Sequence, residues 1–274
     1  MRRVALIGRP LRRRHSQVMH DAAYRHFGVD ASYELHELAE PELAGFVAAA
    51  REPDWLGFQV TAPYKQAVVP LLDELDDTAR GIGAVNTVLN ENGALVGTNT
   101  DAPGFRIAAE RELGVRLAGT AVTVVGAGGA AHAVVHACVD AGASAVTVAN
   151  RTPERAGALA ARFARCRPVA LSDPAAAVAL RGTDLLVSAS TAGMTSDDCP
   201  VDVALLPASA AVFDCVYTPA ETPLLRAARA RGLRGTNGIG MLVEQAAVAF
   251  ARLTGIRADP GPVMRTALSP LLGT

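Results

Sequence analysis

Short apolar runs that alternate with glycine-rich turns and helical repeats organise this chain of 274 residues. The clearest example covers residues 121–155. There an apolar run, Ala121–Val125, precedes a glycine cluster at residues 126–131, an amphipathic segment from His132 to Ala141, and a second apolar run, Ala145–Ala149. This order predicts strand, tight turn, helix and strand, which is one βαβ unit of a nucleotide-binding fold.

The glycine cluster has the residue types that a phosphate-binding turn needs. Gly126 permits the sharp turn, Gly128 lets backbone N–H groups approach a pyrophosphate, and Ala131 is small enough for close helix–strand packing. The helix would point its free N–H groups and positive dipole end at the anion. Any α/β protein can have such a turn, but the apolar runs on both sides favour dinucleotide binding. The predicted cofactor-binding residues here are Gly126, Ala127, Gly128, Gly129 and Ala130.

The tip of the second strand indicates which dinucleotide is bound. Folds that prefer NAD usually have an acid there to hydrogen-bond the ribose 2′-hydroxyl, whereas this strand ends in Asn150-Arg151-Thr152, with Arg155 close behind. Two arginines at a helix start are mildly unfavourable when merely solvated, but a guanidinium suits a phosphate dianion. We interpret Arg151 and Arg155 as a clamp on the 2′-phosphate of NADP(H), with Asn150 and Thr152 beside them.

The composition narrows the class of protein. Half of the residues are hydrophobic and few are aromatic, which suits buried parallel strands, and the length allows two domains. The 26 basic and 27 acidic residues give a net charge of −1, so neither nucleic acid nor an anionic membrane is an expected partner. The four cysteines show no metal-binding spacing. With no run long enough for a signal peptide or membrane span, we expect a cytoplasmic protein without a metal site.

The hydrophobic pattern predicts an α/β protein throughout. In the first half, strands are predicted at Val4–Gly8, Ala31–Leu35 and Trp55–Val60, helices at Ser16–Phe27, Pro41–Ala50 and Gln66–Leu75 (with a break near Pro70), and a closing edge hairpin at residues 84–89 and 95–96. Pro103 and Gly104 should end this domain before a helix at Phe105–Leu113. Later strands are predicted at residues 168–171, 184–188 and 211–215, and helices at residues 153–163, 173–180, 223–230 and 242–253.

Three polar residues at predicted strand ends are candidates for chemistry. Lys65 follows the strand Trp55–Val60, Asn86 lies where the chain changes direction, and Asp101 stands at the domain boundary. A lysine that faces a cleft can act as general acid for a carbonyl reduced by hydride, provided that an acid such as Asp101 holds it. Each residue also has an ordinary structural interpretation, as a surface lysine, a turn former and a helix cap. Together, beside a dinucleotide fold, they favour a catalytic cleft.

The ordered set of motifs resembles the shikimate dehydrogenase family. The motifs are Val60-Thr61-x-Pro63-Tyr64-Lys65, Gly83-Ala84-Val85-Asn86-Thr87, Asn99-Thr100-Asp101, the glycine cluster, Asn150-Arg151-Thr152 and Gly238-Ile239-Gly240-Met241-Leu242-Val243-x-Gln245-Ala246. The resemblance implies an α/β substrate domain over residues 1–102, a Rossmann-type NADP-binding domain over residues 103–237, and C-terminal helices over residues 238–274 that return to the first domain.

The resemblance also implies an activity, the reversible reduction of 3-dehydroshikimate to shikimate with NADPH. Lys65 would supply the proton and Asp101 would hold it, as catalytic residues. The implied substrate-binding residues are Ser16, Thr61, Asn86, Gln245 and Tyr217, and Gly238 and Met241 would join the cofactor site. Arg14 is added to the substrate-binding residues as a hypothesis from its own position and chemistry. A small cyclic hydroxy acid is the expected partner, and the chain is expected to be a monomer or a homodimer.

Two departures from the family pattern leave the substrate open. Arg14 stands where the family has the first of two serines that grip the substrate carboxylate, while Ser16 matches the second. Gln59 replaces an asparagine. Arg14 could bind a carboxylate in a bidentate pair, be a solvated residue of the Arg12–Arg14 turn, or fill the pocket. Quinate, an aminoshikimate or a related cyclic acid therefore remain alternatives, and so does a non-catalytic NADPH-binding protein.

Overall fold

A computed structural model describes residues 1–11 and 13–272; Arg12 of the predicted basic turn lies outside the described residues. The chain divides into two compact units. The first contains Met1–Thr100 and the segment from Val243 onward, and the second contains Asp101–Leu242. Each has a six-stranded sheet in the described residues. The predicted α/β class is therefore confirmed.

The first unit has a mixed sheet with strand order β2-β1-β3-β5-β6-β4. The strands are β1 (Arg2–Gly8), β2 (Ala31–Glu37), β3 (Trp55–Val60), β4 (Glu74–Leu75), β5 (Thr87–Glu91) and β6 (Ala94–Thr98). The helices are α1 (His15–Phe27), α2 (Leu43–Ala49), α3 (Asp77–Ile82) and α10 (Gly261–Leu268), together with the later part of α9 (Ile239–Thr254). Strands β1, β2 and β3 are parallel, whereas β5 is antiparallel to both of its neighbours.

The apolar residues of β1 and β3 form the core of this unit. Val4, Ala5 and Ile7 on β1 and Phe58 on β3 have no exposed surface. Near-continuous burial of this kind is expected for central parallel strands that are covered on both faces. The helix α10 packs against α1, so the end of the chain belongs to the first unit.

The second unit has an all-parallel sheet with strand order β12-β11-β10-β7-β8-β9. The strands are β7 (Ala121–Val125), β8 (Ala145–Asn150), β9 (Cys166–Ala170), β10 (Leu185–Ser188), β11 (Ala211–Asp214) and β12 (Arg234–Asn237). The helices are α4 (Asp101–Leu113), α5 (Gly129–Asp140), α6 (Pro153–Ala160), α7 (Pro174–Arg181) and α8 (Pro223–Ala230). Counted from β7, this is the doubly wound order of a dinucleotide-binding fold, and the chain reverses direction across the sheet between β7 and β10.

The predicted helix Gln66–Leu75 is wrong. Residues 66–68 form turns, Val69–Leu71 is a single 3₁₀ turn, and Glu74–Leu75 is strand β4. Pro70 lacks an N–H group and so cannot continue a helix. The long-range partner β6 then captures the rest of the segment, because Asp73 exchanges hydrogen bonds with the backbone of Leu95. As a result β4 lies outside the predicted hairpin, which is not the sheet edge.

The predicted break at Pro103 and Gly104 is also wrong. Pro103 and Gly104 do not interrupt the regular structure, because α4 already begins at Asp101 and proline is tolerated in the first turn of a helix.

The hydrophobic pattern does not predict two short elements of the fold, helix α3 and strand β12. Helix α3 is only six residues long, and its signal is Asp76, whose side chain accepts from the N–H of Ala79. Strand β12 is a polar edge strand without an apolar run.

Among the described residues, no helix is both long enough and apolar enough to span a membrane.

Candidate active site

One edge of the first sheet, formed by the carboxyl ends of its parallel strands, gathers three of the six predicted substrate residues, namely Thr61, Asn86 and Gln245. Strands β1, β3 and β6 end at this edge, and the antiparallel strand β5 begins there, since Gln59 pairs with Thr87 and Thr87 pairs with Thr98. Thr61, Asn86 and Thr100 therefore emerge from three strands at the same edge. In open α/β sheets, ligands bind at the carboxyl ends of the strands.

Asn86 is the centre of a buried hydrogen-bond network at this edge. Its side-chain Nδ2 donates to the Thr100 hydroxyl at 3.0 Å, and its Oδ1 accepts from the Thr100 N–H at 2.8 Å. The Thr87 hydroxyl also donates to Asn86 Oδ1, at 3.1 Å. The Thr100 hydroxyl lies 3.4 Å from Oε1 of Gln245, a residue of α9. The fold thus brings together two of the predicted substrate residues that are far apart in sequence.

The backbone of Lys65 is hydrogen-bonded beside the Asn86 network. Its carbonyl accepts from the N–H of Val85 at 2.7 Å, which places Lys65 beside the residue preceding Asn86. Thr61 is anchored at the end of β1, because its N–H donates to the carbonyl of Ile7 at 2.9 Å. Gly8 makes this approach possible, since a Cβ there would lie 2.4 Å from the Thr61 methyl group.

The sequence contains a further signal that motif comparison overlooked. Lys65 is the only lysine in the chain, and the other 25 of its 26 basic residues are arginines. A guanidinium keeps its proton in proteins, whereas an ammonium can give one up. Retention of a single lysine, at the position predicted to donate a proton, favours a chemical role over a surface charge.

Asp101, the predicted partner of Lys65, is the buried first residue of α4 and directly follows Thr100. It belongs to the second unit and Lys65 to the first. The pairing of their side chains therefore stays a prediction.

Ser16 and Arg14 lie at the start of α1. Ser16 is the second residue of this helix, and Arg14 is its N-cap residue. Arg14 is exposed, and its Nε donates to Oε1 of Gln17 at 2.8 Å. Free N–H groups of the first helical turn, a hydroxyl and a guanidinium are the donors that a carboxylate prefers. Whether they bind one stays a prediction.

The second unit contains a cleft at the carboxyl end of its sheet. Its volume is about 780 Å³, and Gly126, Asn150 and Arg151 contribute to its walls. These three are predicted cofactor residues, and they come from the ends of β7 and β8. The cleft lies at the reversal point of strand order, where nucleotides bind in doubly wound sheets.

The backbone at Gly126 explains why glycine is needed in this turn. Its φ of +118° is a conformation that other residues rarely adopt, and a Cβ would lie 2.6 Å from the carbonyl oxygen of Ala189. Gly128, by contrast, is the extended N-cap residue of α5, and a Cβ there would meet no atom within 4 Å. The open space at Gly128 leaves room for a phosphate to approach the helix N-terminus. Ala127, Gly129 and Ala130 complete the same turn.

Arg155 and Thr152 belong to the helix that follows β8. Thr152 is the N-cap residue of α6, its carbonyl accepts from Nδ2 of Asn150, and Arg155 is an exposed residue of the first turn. The cleft also has walls that are not among the predicted cofactor-binding residues: Val125 of β7, Leu171 and Ser172 after β9, and residues 190–192, 195, 196 and 198–200. Leu171 and Ser172 could have been found, because they follow a parallel strand on the same sheet edge.

Gly238, Met241 and Tyr217 also follow strands of the second sheet. Gly238 comes after β12, and a Cβ there would lie 2.2 Å from the carbonyl oxygen of Cys215. Met241 is buried in the first turns of α9, and Tyr217 follows β11 and is half-buried. All three positions are consistent with a site at the carboxyl ends of the strands, and their ligand contacts stay predictions.

Three segments of the chain match known protein families. Residues 6–88 match the shikimate dehydrogenase substrate binding domain, residues 107–196 match the shikimate / quinate 5-dehydrogenase family, and residues 238–268 match the shikimate 5'-dehydrogenase C-terminal domain. A shikimate dehydrogenase (NADP(+)) from Symbiobacterium thermophilum is 43% identical over 273 residues, covering 96% of this chain and 92% of that protein.

Solved structures give the same assignment of fold. Shikimate 5-dehydrogenase from Thermus thermophilus, solved with NADP(H) and shikimate, is 39% identical with a TM-score of 0.88, and the match covers 98% of this chain and 99% of that one. Quinate dehydrogenase from Corynebacterium glutamicum, solved with NAD, is 33% identical with a TM-score of 0.90, over 98% of this chain and 99% of that one.

Proposed function

The chain belongs to the shikimate dehydrogenase family, an NADP-dependent oxidoreductase family, and we propose that it catalyses the reversible reduction of 3-dehydroshikimate to shikimate with NADPH. The observation that carries the proposal is the single lysine, Lys65, beside the buried Asn86–Thr100–Gln245 network. The reduction of a ketone requires a group that donates a proton to the oxygen. Because the other 25 of the 26 lysine and arginine residues are arginines, Lys65 is the one side-chain ammonium group that the chain can place beside this network.

Lys65 protonates the alkoxide oxygen that forms as the ring ketone is reduced, and Asp101 holds its ammonium group in place. NADPH, when bound, supplies the hydride. Asn86, Thr61 and Gln245 hydrogen-bond the ring hydroxyls, which discriminates strongly against analogues that lack them. Ser16 and Arg14 bind the carboxylate, with Tyr217 as a further substrate contact.

The cofactor is bound by the second unit. The turn at Gly126–Ala130 and the start of α5 bind the pyrophosphate, and Arg151 and Arg155 bind the 2′-phosphate, flanked by Asn150 and Thr152. The lack of an acid at the tip of β8 and the cleft against Arg151 support NADP rather than NAD. Gly238 and Met241 complete the cofactor site. The three segments of the chain thus have separate roles in this proposal: residues 1–102 bind the substrate, residues 103–237 bind NADP, and residues 238–274 complete the site.

We also propose that the protein works in the cytoplasm as a monomer or a homodimer. All four cysteines are free thiols in the structure, which supports a reducing compartment.

A substrate panel tests the proposal. The purified protein is assayed with shikimate, quinate and an aminoshikimate, each with NADP and with NAD, by following the absorbance of the reduced nicotinamide. The proposal predicts the highest kcat/KM for shikimate with NADP. A higher value for quinate would favour the second candidate function, which the similarity to the quinate dehydrogenase of Corynebacterium glutamicum and the Arg14 departure support. Tight NADPH binding without turnover of any of these acids would indicate a non-catalytic NADPH-binding protein.

A further inference from the structure

Asp214, the last residue of β11, is a carboxylate with no exposed surface. A buried group of this kind is costly unless hydrogen-bond donors satisfy it. Its Oδ1 accepts from the N–H of Val216 at 3.1 Å, and its Oδ2 accepts from the hydroxyl of Thr222 at 2.7 Å. The two donors stand at the start and at the end of the β11–α8 loop, residues 215–222, so one side chain joins both ends of this loop.

Thr222 connects the end of the loop to the next helix. It is buried and is the N-cap residue of α8; its Oγ1 accepts from the N–H of Leu225 at 3.3 Å while its own proton is donated to Asp214. Gly193 packs against Thr222, since a Cβ on that glycine would lie 3.4 Å from the threonine Cβ. Because Gly193 directly follows residues 190–192, which are walls of the nucleotide cleft, this end of the loop lies beside the cleft.

The rest of the β11–α8 loop is bonded to the residues that end β12 and begin α9. Nδ2 of Asn237 donates to the carbonyl of Ala220 at 2.8 Å, and the carbonyl of Val216 accepts from the N–H of Gly238 at 3.2 Å. Tyr217, which is half-buried, follows Val216 directly in the chain. The backbone on both sides of Tyr217 is therefore tied down, at the carboxyl edge of the second sheet.

From these contacts we propose that Asp214 is a positioning residue that holds Tyr217 in place for the substrate. The carboxylate fixes the backbone one residue before Tyr217 and, through Thr222, the point at which the loop returns to α8. A carboxylate suits this task because each of its oxygens accepts from one end of the loop, whereas an amide has a single acceptor oxygen. The inference deepens the proposed function and rests on it for the contact between Tyr217 and the substrate.

An NMR measurement tests the role of Asp214 without turnover. Tyr217 is the only one of the four tyrosines that lies in the second unit. Labelling tyrosine with ¹³C at Cζ gives a spectrum in which Tyr217→Phe identifies its signal. Thr222→Val keeps the shape of the side chain and removes the hydroxyl that donates to Asp214, so it should shift the Tyr217 signal and leave the other three in place. Thr222→Ser keeps a hydroxyl and should leave the Tyr217 signal near its wild-type position.

Thr183→Val is the matched control. Thr183 is also a buried residue of the second unit, and its hydroxyl donates to that of Thr123 at 2.9 Å. It precedes β10, so it lies at the opposite, amino edge of the sheet. Its replacement removes the same group at a similar depth and should lower the midpoint of thermal unfolding without moving the Tyr217 signal. An unmoved Tyr217 signal in Thr222→Val, or an equal shift in both valine variants, would overturn the proposal.

Kinetics connect the position of Tyr217 to the substrate. Thr222→Val should raise the KM for shikimate roughly 3- to 10-fold, because one net hydrogen bond from the displaced tyrosine is lost. The value of kcat and the KM for NADP should stay within about two-fold, since the loop does not supply the proton and the isosteric change keeps the packing beside the cleft. In a Tyr217→Phe background, Thr222→Val should have no further effect on the KM for shikimate. Full additivity of the two changes, or an unchanged KM in folded Thr222→Val, would refute the positioning role.

A second variant covers the case in which Thr222→Val does not fold. Asp214→Asn leaves one acceptor oxygen for two donors, so the same shift of the Tyr217 signal and the same rise in the KM for shikimate are expected, and a folded variant that shows neither would overturn the proposal. If the wild-type protein does not oxidise shikimate, the proposed function fails on the substrate panel, while the NMR result still decides whether Asp214 holds Tyr217.

Discussion

Two glycines of the turn before α5, Gly126 and Gly128, have different roles. Replacing each with alanine should separate an effect on folding from an effect on cofactor binding. In Gly126→Ala, the new Cβ would lie 2.6 Å from the carbonyl oxygen of Ala189, at a φ of +118°. In Gly128→Ala, the Cβ meets no atom within 4 Å. The two changes add the same methyl group two residues apart in one turn, so each serves as the control for the other.

The expected magnitudes follow from the local geometry. At Gly126, an unfavourable backbone conformation costs about 1–3 kcal/mol and overpacking against a rigid carbonyl costs about 1–3 kcal/mol, so the free energy of unfolding should fall by roughly 2–6 kcal/mol. At Gly128 the loss should be about 1 kcal/mol or less, the cost of alanine at an N-cap. If a pyrophosphate lies against this position, Gly128→Ala should instead raise the Kd for NADPH by about tenfold, equivalent to ~1.4 kcal/mol.

Urea unfolding without ligand measures the first effect, and NADPH fluorescence measures the second. Far-UV circular dichroism detects both units, whereas Trp55, the only tryptophan, monitors the first unit. With a slope of about 2 kcal/mol per molar urea, Gly126→Ala should lower the midpoint of the circular dichroism transition by roughly 1–3 M. A Gly126→Ala protein as stable as wild type would refute the steric reasoning. Normal NADPH affinity in Gly128→Ala would refute the placement of the phosphate.

Three further results are expected. Lys65→Arg keeps the charge but cannot release its proton, so kcat for shikimate should fall roughly 10²- to 10⁴-fold while NADPH affinity persists; an unchanged kcat in steady-state assays would contradict the role of Lys65. Arg151→Ala should raise the KM for NADP about 10- to 100-fold, because that factor corresponds to the loss of charge-assisted hydrogen bonds to the 2′-phosphate. The KM for NAD, which lacks this phosphate, should change little. Equal effects on the KM for both cofactors would refute the clamp. Two hydrogen bonds from Arg3 lower the pKa of Glu34 to about 2. Because the folded pKa is lowered, this stabilisation is present above the ordinary value of about 4.5 and is lost as pH falls toward 2. Glu34→Gln should therefore destabilise the protein by roughly 1–2 kcal/mol at neutral pH, after discounting for partial exposure, and the difference in urea midpoint should disappear at low pH; a difference independent of pH would contradict the ion pair.

The second unit was the more predictable of the two from sequence. Strands β7 and β8 coincide with their apolar runs to within one residue, and helix α8 was predicted with its observed bounds. In a parallel sheet each strand is buried on both faces, so its apolar run is continuous and easily identified. The missed strand β12 lies at the edge, where burial on one side is enough and the sequence signal disappears.

In the first unit, and at the start of α4, the local pattern of apolar and polar residues fails to predict the secondary structure. Residues 66–75 have the composition of a helix, yet the chain there forms turns and strand β4, because Pro70 interrupts the helix and pairing with β6 offers the backbone partners. The sequence pattern predicts that Pro103 ends a regular element, but in the first turn of α4 no helical hydrogen bond requires its N–H group. Both errors concern proline, whose effect depends on its position within the helix.

The sequence by itself determined the family and the fold class of this protein, and it predicted where along the chain the chemistry occurs. Gly126, the arginines after β8 and the only lysine stand out in the sequence because few residue types meet the demand predicted for each position: a positive φ, a bidentate donor and an ammonium proton that can be released. Tertiary structure alone decided which distant residues meet. Thr100 and Gln245 are 145 positions apart, and Tyr33 and Gln59 come from different strands. Their hydrogen bonds depend on strand order and helix packing, which no local pattern of apolar and polar residues specifies.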